Sequence, residues 1–234
     1  MKIAGIQRVS LLDYPGRVAA TLFVAGCNLN CGFCYNRWMI DADAVTESLT
    51  VASLLSWLAT RRDKLQGICI TGGEPLMHPQ LPDLIGAIRA LGFDIKLDTN
   101  GTWPKRLQNL IQAKQLNYIA LDLKAPLDAR YAQVSGGYDV SAKVIHTLAV
   151  LRASGVPYEL RTTVCPGLGK AELGAIAEAV QPEERWYLQP FRAVEGVIPE
   201  WREREALSDG ALLTVAELFR GYLPLIEVRG VEAG

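Results

Sequence analysis

Cys27-Asn28-Leu29-Asn30-Cys31-Gly32-Phe33-Cys34 places three of the chain's five cysteines within one short stretch. The apolar run Thr21-Leu22-Phe23-Val24-Ala25 leads into it and predicts a buried strand, so the cysteines fall on a loop just past a strand's C-terminal end. Loops in that position carry the chemistry of α/β folds. A disulfide framework wants an even cysteine count and an oxidising compartment. Zinc wants four protein ligands, or three and a water. The histidines, His78 and His146, are remote and isolated, and no second cysteine pair follows. An iron–sulfur cube held by three thiolates suits the pattern better, because its fourth iron stays open to another ligand.

The chain has 234 residues, 50% of them hydrophobic, enough for a sizeable core. Its formal charge is −1, from 24 basic and 25 acidic side chains. That balance gives no footprint for nucleic acid and no electrostatic pull to a membrane. The longest apolar run, Val18 to Gly26, is too short to span a bilayer. Gln7 and Arg8 interrupt the N-terminal apolar residues too early for a secretory signal. The expectation is a cytoplasmic protein with reduced thiols.

Outward from the cysteines the pattern is strand then helix, repeated. Lys2 to Gln7 and Arg17 to Val24 predict two strands joined through Asp13-Tyr14-Pro15-Gly16, a type II turn sequence. Strands are expected at Gly67–Thr71, Phe93–Asp98, Tyr118–Leu123, Val156–Val164, Trp186–Phe191 and Leu225–Val228. Helices alternate with them, with Thr50 and Ser141 as candidate N-caps. Right-handed crossovers turn this order into a parallel sheet curled into a partial barrel. Gly72-Gly73-Glu74, Asp98-Thr99-Asn100-Gly101, Asp122/Lys124 and Gln189 then all fall just after successive strands, at one mouth. Each also has a plain reading, as a turn or a solvated strand end, and Arg161, on one face with Glu159, reads equally as half of a plain salt bridge. Cys69 reads as a small buried hydrophobe, Cys165 as a loop residue, and His146 as a surface or packing residue. Arg192 to Asp209 is charged and irregular, either a solvated loop or part of a docking surface.

The C-x3-C-x2-C spacing with Phe33 before the last cysteine resembles the signature of the radical S-adenosylmethionine (SAM) enzymes, and Gly72-Gly73-Glu74-Pro75 resembles their motif for the SAM amino group. The opening, Val9 to Arg17 running into Phe23-Val24-Ala25-Gly26-Cys27-Asn28, resembles the longer activases of anaerobic ribonucleoside-triphosphate reductase. The resemblance covers nearly the whole chain. It implies a partial (β/α)6 TIM-like barrel of the radical SAM type over 1–234, with an N-terminal strand pair at about 1–26 and a C-terminal extension at about 192–234. It implies a [4Fe-4S] cluster on Cys27, Cys31 and Cys34, and SAM beside Phe33, Gly72, Gly73, Glu74, Asp98, Thr99, Asn100, Asp122, Lys124, Arg161 and Gln189. A monovalent cation at Asp98 and Asp122 also belongs to the implied site. The implied chemistry is one-electron cleavage of SAM to a 5′-deoxyadenosyl radical, with a glycine Cα–H of a partner enzyme as its target. The implied partners are a glycyl-radical enzyme of the anaerobic ribonucleotide reductase type and an electron donor such as flavodoxin or ferredoxin. Two features depart from the family pattern. The interval between the cysteine loop and GGEP has no cysteine-bearing insert, and the chain is longer than the familiar reductase activases. A radical SAM reaction on a small molecule such as a deazapurine precursor, and a non-catalytic iron–sulfur redox module, are the alternatives.

Overall fold

The computed structural model describes residues 1–231. One sheet runs through it with its strands in chain order: β1 (Ile3–Ser10), β2 (Ala19–Val24), β3 (Gly67–Gly72), β4 (Asp94–Thr99), β5 (Tyr118–Asp122), β6 (Tyr158–Val164), β7 (Trp186–Pro190) and β8 (Ile226–Val228). β1 lies antiparallel to β2, and every later neighbouring pair is parallel. Parallel neighbours require crossovers. These are α1 (Val51–Ala59), α2 (Leu81–Ala90), α3 (Pro104–Gln112), α4 (Tyr131–Ser135) with α5 (Ser141–Arg152), α6 (Lys170–Ala177), and α7 (Pro199–Arg202) with α8 (Asp209–Arg220). The two end strands, β1 and β8, are not paired with each other, so the barrel stays open on one side. The expected α/β partial barrel is therefore present, with β1 and β8 flanking its six central strands.

The strands alternate between two environments. Ile68 and Ile70 of β3, Ile95 and Leu97 of β4, and Ile119 and Leu121 of β5 belong to one continuous hydrophobic core with the helix residues Leu54, Leu58, Ile85, Ile88, Leu107 and Leu148. Burying each such side chain contributes about 1.5–3 kcal/mol. The alternate positions, among them Thr21, Thr71, Asp98 and Arg161, face a cavity inside the sheet. Tyr14 closes the bottom of the barrel, buried against the Tyr118 ring with centroids 6.0 Å apart. Its turn has the expected form: Arg17 N donates to Tyr14 O at 3.1 Å, with Gly16 at φ +71°.

Thr50 caps α1 as expected, accepting from Ser53 N at 3.0 Å. Ser141 does not cap α5. It is the first helical residue, and the Asp139 carboxylate accepts from its N–H and hydroxyl at 3.0 and 2.6 Å, a turn-type interaction set up two residues earlier. α4 was not legible, because five residues are too few to show a helical period. The 192–209 stretch is not simply a solvated loop: it contains α7 and buries Val197 and Trp201. The last three residues of the expected 192–234 extension lie outside the described residues.

Candidate active site

The cysteine loop leaves β2 at Val24 and is fixed by backbone bonds: Gly26 N to Met39 O at 2.7 Å, Cys27 N to Ile40 O at 3.0 Å, and Asn30 N to Ser135 O of α4 at 3.1 Å. Within it, Cys34 N donates to Cys31 O at 3.2 Å and Leu29 N to Cys27 Sγ at 3.5 Å. Asn100 Nδ2 lies 3.9 Å from Cys27 Sγ and donates to Asn28 Oδ1 at 3.2 Å. Burial pushes the Cys27 thiol up to about 12 and raises Cys31 as well. Both are protonated thiols in the metal-free chain, so metal uptake displaces protons. Among the described residues no three His, Cys, Asp or Glu side chains gather around one point where a single ion could sit. All three cysteines line the same cavity, and the chemistry of three thiolates with no histidine among its described lining residues fits an iron–sulfur cluster.

Gly72 and Gly73 end β3 against this loop. A Cβ on Gly73 would stand 1.9 Å from Gly26 O, and one on Gly72 would stand 2.4 Å from Val24 O. The glycines thus allow one backbone to lie on another. Gly73 N donates to Val24 O and Glu74 N to Gly26 O, both at 2.8 Å. Glu74 is fully buried beneath them. Its Oε1 accepts from Leu76 N at 3.0 Å and Thr99 Oγ1 at 2.8 Å, and its Oε2 from Asn100 N at 2.7 Å. Burial raises this carboxyl to about 7, against the three donors that hold it down. Glu74 therefore ties the end of β4 to the end of β3. In Glu74→Gln an amide N–H₂ faces one of these donors. The expected cost is about 1–3 kcal/mol, read as a lower urea midpoint at unchanged slope.

Charged residues line the barrel interior. Lys96 Nζ donates to Asp98 Oδ1 at 2.6 Å and stands 3.6 Å from Glu159 Oε1. Arg161 bridges two strands: Nη1 donates to Asp98 Oδ2 at 2.9 Å, and Nε and Nη2 donate to Asp122 Oδ1 at 3.0 and 2.9 Å. Lys124 Nζ donates to Asp122 Oδ2 at 3.0 Å. Burial alone would raise Asp122, but Lys124 and Arg161 outweigh it and hold the carboxyl at about 2. Asp98 is likewise lowered against its burial, by Arg161 and Lys96. Every carboxylate oxygen of these two acids thus has a cationic partner within the chain. At the place where a monovalent cation was expected, the positive charge between Asp98 and Asp122 is the Arg161 guanidinium.

The cavity at the mouth encloses about 500 Å³, in the range of small-molecule sites. It brings together Cys27, Cys31, Cys34 and Phe33 with Gly72, Gly73, Asp98, Thr99, Asn100, Asp122, Lys124, Arg161 and Gln189. Glu74 alone of the expected residues does not line it. Sequence reading missed Lys96 and Arg229, whose Nη2 lies 3.3 Å from Glu159 Oε2. A lysine between Ile95 and Leu97 in a buried strand was a usable signal for a polar barrel interior; Arg229, beyond the last strand, gave none. Cys69 is buried as expected, with Lys96 Nζ 4.0 Å from its sulfur, Cys165 is buried, and His146 is exposed.

Residues 21–180 match the family model of the radical SAM superfamily. The chain belongs to this superfamily. Membership implies a [4Fe-4S] cluster and SAM binding, and three cysteines lining one cavity fit both. This radical SAM enzyme is 26% identical over 238 residues to a Methanocaldococcus jannaschii protein provisionally named a glycyl-radical enzyme activating enzyme, covering 98% of this chain and 96% of that one. It is also 26% identical over 166 residues to a probable GTP 3′,8-cyclase of Pyrococcus abyssi, covering 70% of this chain and 53% of the other. In fold it matches the crystal structure of Streptococcus suis SuiB with a TM-score of 0.70 at 16% identity, covering 91% of this chain and about half (49%) of that one. Among the described residues no helix is long and apolar enough to cross a membrane.

Proposed function

We propose that this radical SAM enzyme generates a glycyl radical on a partner protein, and that the partner is an anaerobic ribonucleotide reductase. The supporting observation is the match to the M. jannaschii activating enzyme, which runs over nearly the full length of both chains. The open side between β1 and β8 suits the same reading, because a polypeptide loop needs such an entrance. In this reading the whole chain is one radical SAM unit, with the strand pair at about 1–26 and the extension from about 192 as its flanks. When bound, the cluster supplies the electron that cleaves SAM into methionine and a 5′-deoxyadenosyl radical.

The chain's own residues do the rest. Cys27, Cys31 and Cys34 hold the cluster. The backbone at Gly72 and Gly73 meets the SAM amino group, with Glu74 bracing it from beneath. Lys124 and Arg161 offer their remaining N–H donors to the SAM carboxylate, with Asp98 and Asp122 fixing both cations in place. Phe33, Thr99, Asn100 and Gln189 line the space left for the nucleoside. The Arg161 bridge supplies the charge for which an alkali cation would otherwise be needed. A cytoplasmic flavodoxin or ferredoxin would deliver the electron.

A second reading keeps these residues but acts on a small molecule, a purine nucleotide or a deazapurine precursor; similarity to the GTP cyclase favours it, over a smaller share of both chains. The test is anoxic reconstitution with iron and sulfide, reduction, addition of SAM, and assay of 5′-deoxyadenosine beside a chain with all three cysteines changed to alanine. Cleavage in the wild type alone supports SAM chemistry. A glycine-centred doublet in the spin-resonance spectrum of an added anaerobic reductase then supports the activase. Cleavage coupled to purine turnover, with no protein radical, would replace it with the second reading. A formed cluster without cleavage would leave only a redox module.

A further inference from the structure

The segment from 191 to 204 grips the cysteine loop at three of its residues. Gly32 is the first: a Cβ there would stand 2.1 Å from Trp201 Nε1 and 2.2 Å from Cε2, so the indole edge lies directly on its Cα. Phe33 is the second, its ring centroid 6.1 Å from that of Trp201 with an interplanar angle of 47°. Tyr35 is the third. Its ring stacks on Phe191 at 6.2 Å, its hydroxyl accepts from Arg192 N at 2.8 Å, and Gly196 packs so closely that a Cβ would stand 2.4 Å from Tyr35 O.

The segment is itself anchored. Arg192 donates to both oxygens of Asp209 at 2.7 Å and to Gly230 O at 2.8 Å, tying it to the start of α8 and the end of β8. Trp201 is 7% exposed, and the Arg204 guanidinium covers its ring at 4.8 Å from the centroid. On the inner side Lys124 Nζ lies 5.7 Å from the Phe33 centroid. Arg204, Trp201, Phe33 and Lys124 therefore form one cation–aromatic stack from the surface to the cavity wall.

These contacts divide the loop into two regions. Cys27 is fixed by the β3 and β4 ends, through Gly26, Glu74 and Asn100. The residues around Cys31 and Cys34 are held by the 191–204 segment, together with the Asn30 N–Ser135 O bond and the Arg37 Nη1 donor to Cys31 O at 3.3 Å. We propose that this segment is a positioning strap for the cluster loop, and that Trp201, seated on Gly32, is the residue through which it sets Cys31, Cys34 and the Phe33–Lys124 contact. Trp201 is a positioning residue, acting through Gly32 and Phe33.

The proposal rests on the cysteine loop being the cluster loop, and the experiment separates the two. Full-length wild type, Trp201→Ala, Trp201→Phe and Gly32→Ala are reconstituted anoxically, beside Leu151→Ala, a core variant on α5 that lowers stability away from the loop. Iron content, the spin-resonance spectrum of the reduced cluster with and without SAM, and bleaching in air are measured well below every melting temperature. Trp201→Ala and Gly32→Ala are expected to change the spectrum and to bleach about tenfold faster, as a locally opened loop would. Trp201→Phe should recover most of both properties, and Leu151→Ala should leave them as in the wild type. An unchanged spectrum in Trp201→Ala and Gly32→Ala, with bleaching no faster than in Leu151→Ala, overturns the strap. Should Trp201→Ala fail to fold, Gly32→Ala and Trp201→Phe decide the matter alone. A wild-type chain that takes up no iron refutes the earlier reading, and the strap with it.

Discussion

Gly73→Ala is expected to lose about 3–5 kcal/mol of stability and with it the geometry of the cysteine loop. The new methyl would stand 1.9 Å from Gly26 O and 3.2 Å from Cys27 N, both backbone atoms that cannot turn aside. Relief requires β3 and the cysteine loop to part, which breaks the Gly73–Val24 and Glu74–Gly26 hydrogen bonds together. The contrast is Gly174→Ala, on α6 with no heavy atom within 4 Å of its new Cβ. There alanine should be neutral, or stabilise by up to about 1 kcal/mol through helix propensity. Urea denaturation of the metal-free chains measures both, and iron uptake measures the loop. Equal midpoints for the two variants would show that the backbone-on-backbone contact does not govern this site.

Arg161→Met should destabilise the chain by about 3 kcal/mol near neutral pH. Methionine fills much of the volume but leaves Asp98 Oδ2 and Asp122 Oδ1 without their partner, two carboxylates facing each other inside the barrel. The folded-state values of both acids lie below their unfolded value of about 4 in the native chain. Their contribution is therefore complete above that value and is lost as pH falls through the folded ones, which reach about 2 for Asp122. In the variant Lys96 and Lys124 still lower the two acids, but the part of the depression that Arg161 supplies is lost. The gap between native and variant chains should accordingly be widest near pH 7 and shrink as the pH drops from about 4 towards 2. Urea titrations at several pH values measure this. A constant gap would mean that Arg161 acts by packing, with the ion pairs contributing nothing net.

The periodicities that made the barrel legible are local. Alternating Ile68/Ile70 and Ile95/Leu97, helix faces such as Leu81/Leu84/Ile85/Ile88, and the Pro15-Gly16 turn each announce an element within a few residues, and each element formed. In-order parallel pairing then places every strand end at one mouth, so Cys27, Gly72, Asp98, Asp122 and Gln189 could be named as cavity residues before any side chain was placed. Glu74 was placed in the right region but does not line the cavity. Its position in the motif could not say whether the carboxylate faced the cavity or the backbone amides beneath it.

What the sequence by itself determined is the cysteine loop, the order of the strands and the set of residues at their ends, because all of these follow from short-range pattern and chain connectivity. The tertiary structure decided the pairings. Arg161 joins Asp98 to Asp122 because strand register brings Asp122 beside Arg161 and barrel curvature brings Asp98 within reach. Trp201 meets Gly32 because the chain returns over the mouth after β7. Contacts of that kind depend on where distant segments meet in space, on the curvature of the sheet and on which face each side chain presents. None of these leaves a period in the sequence.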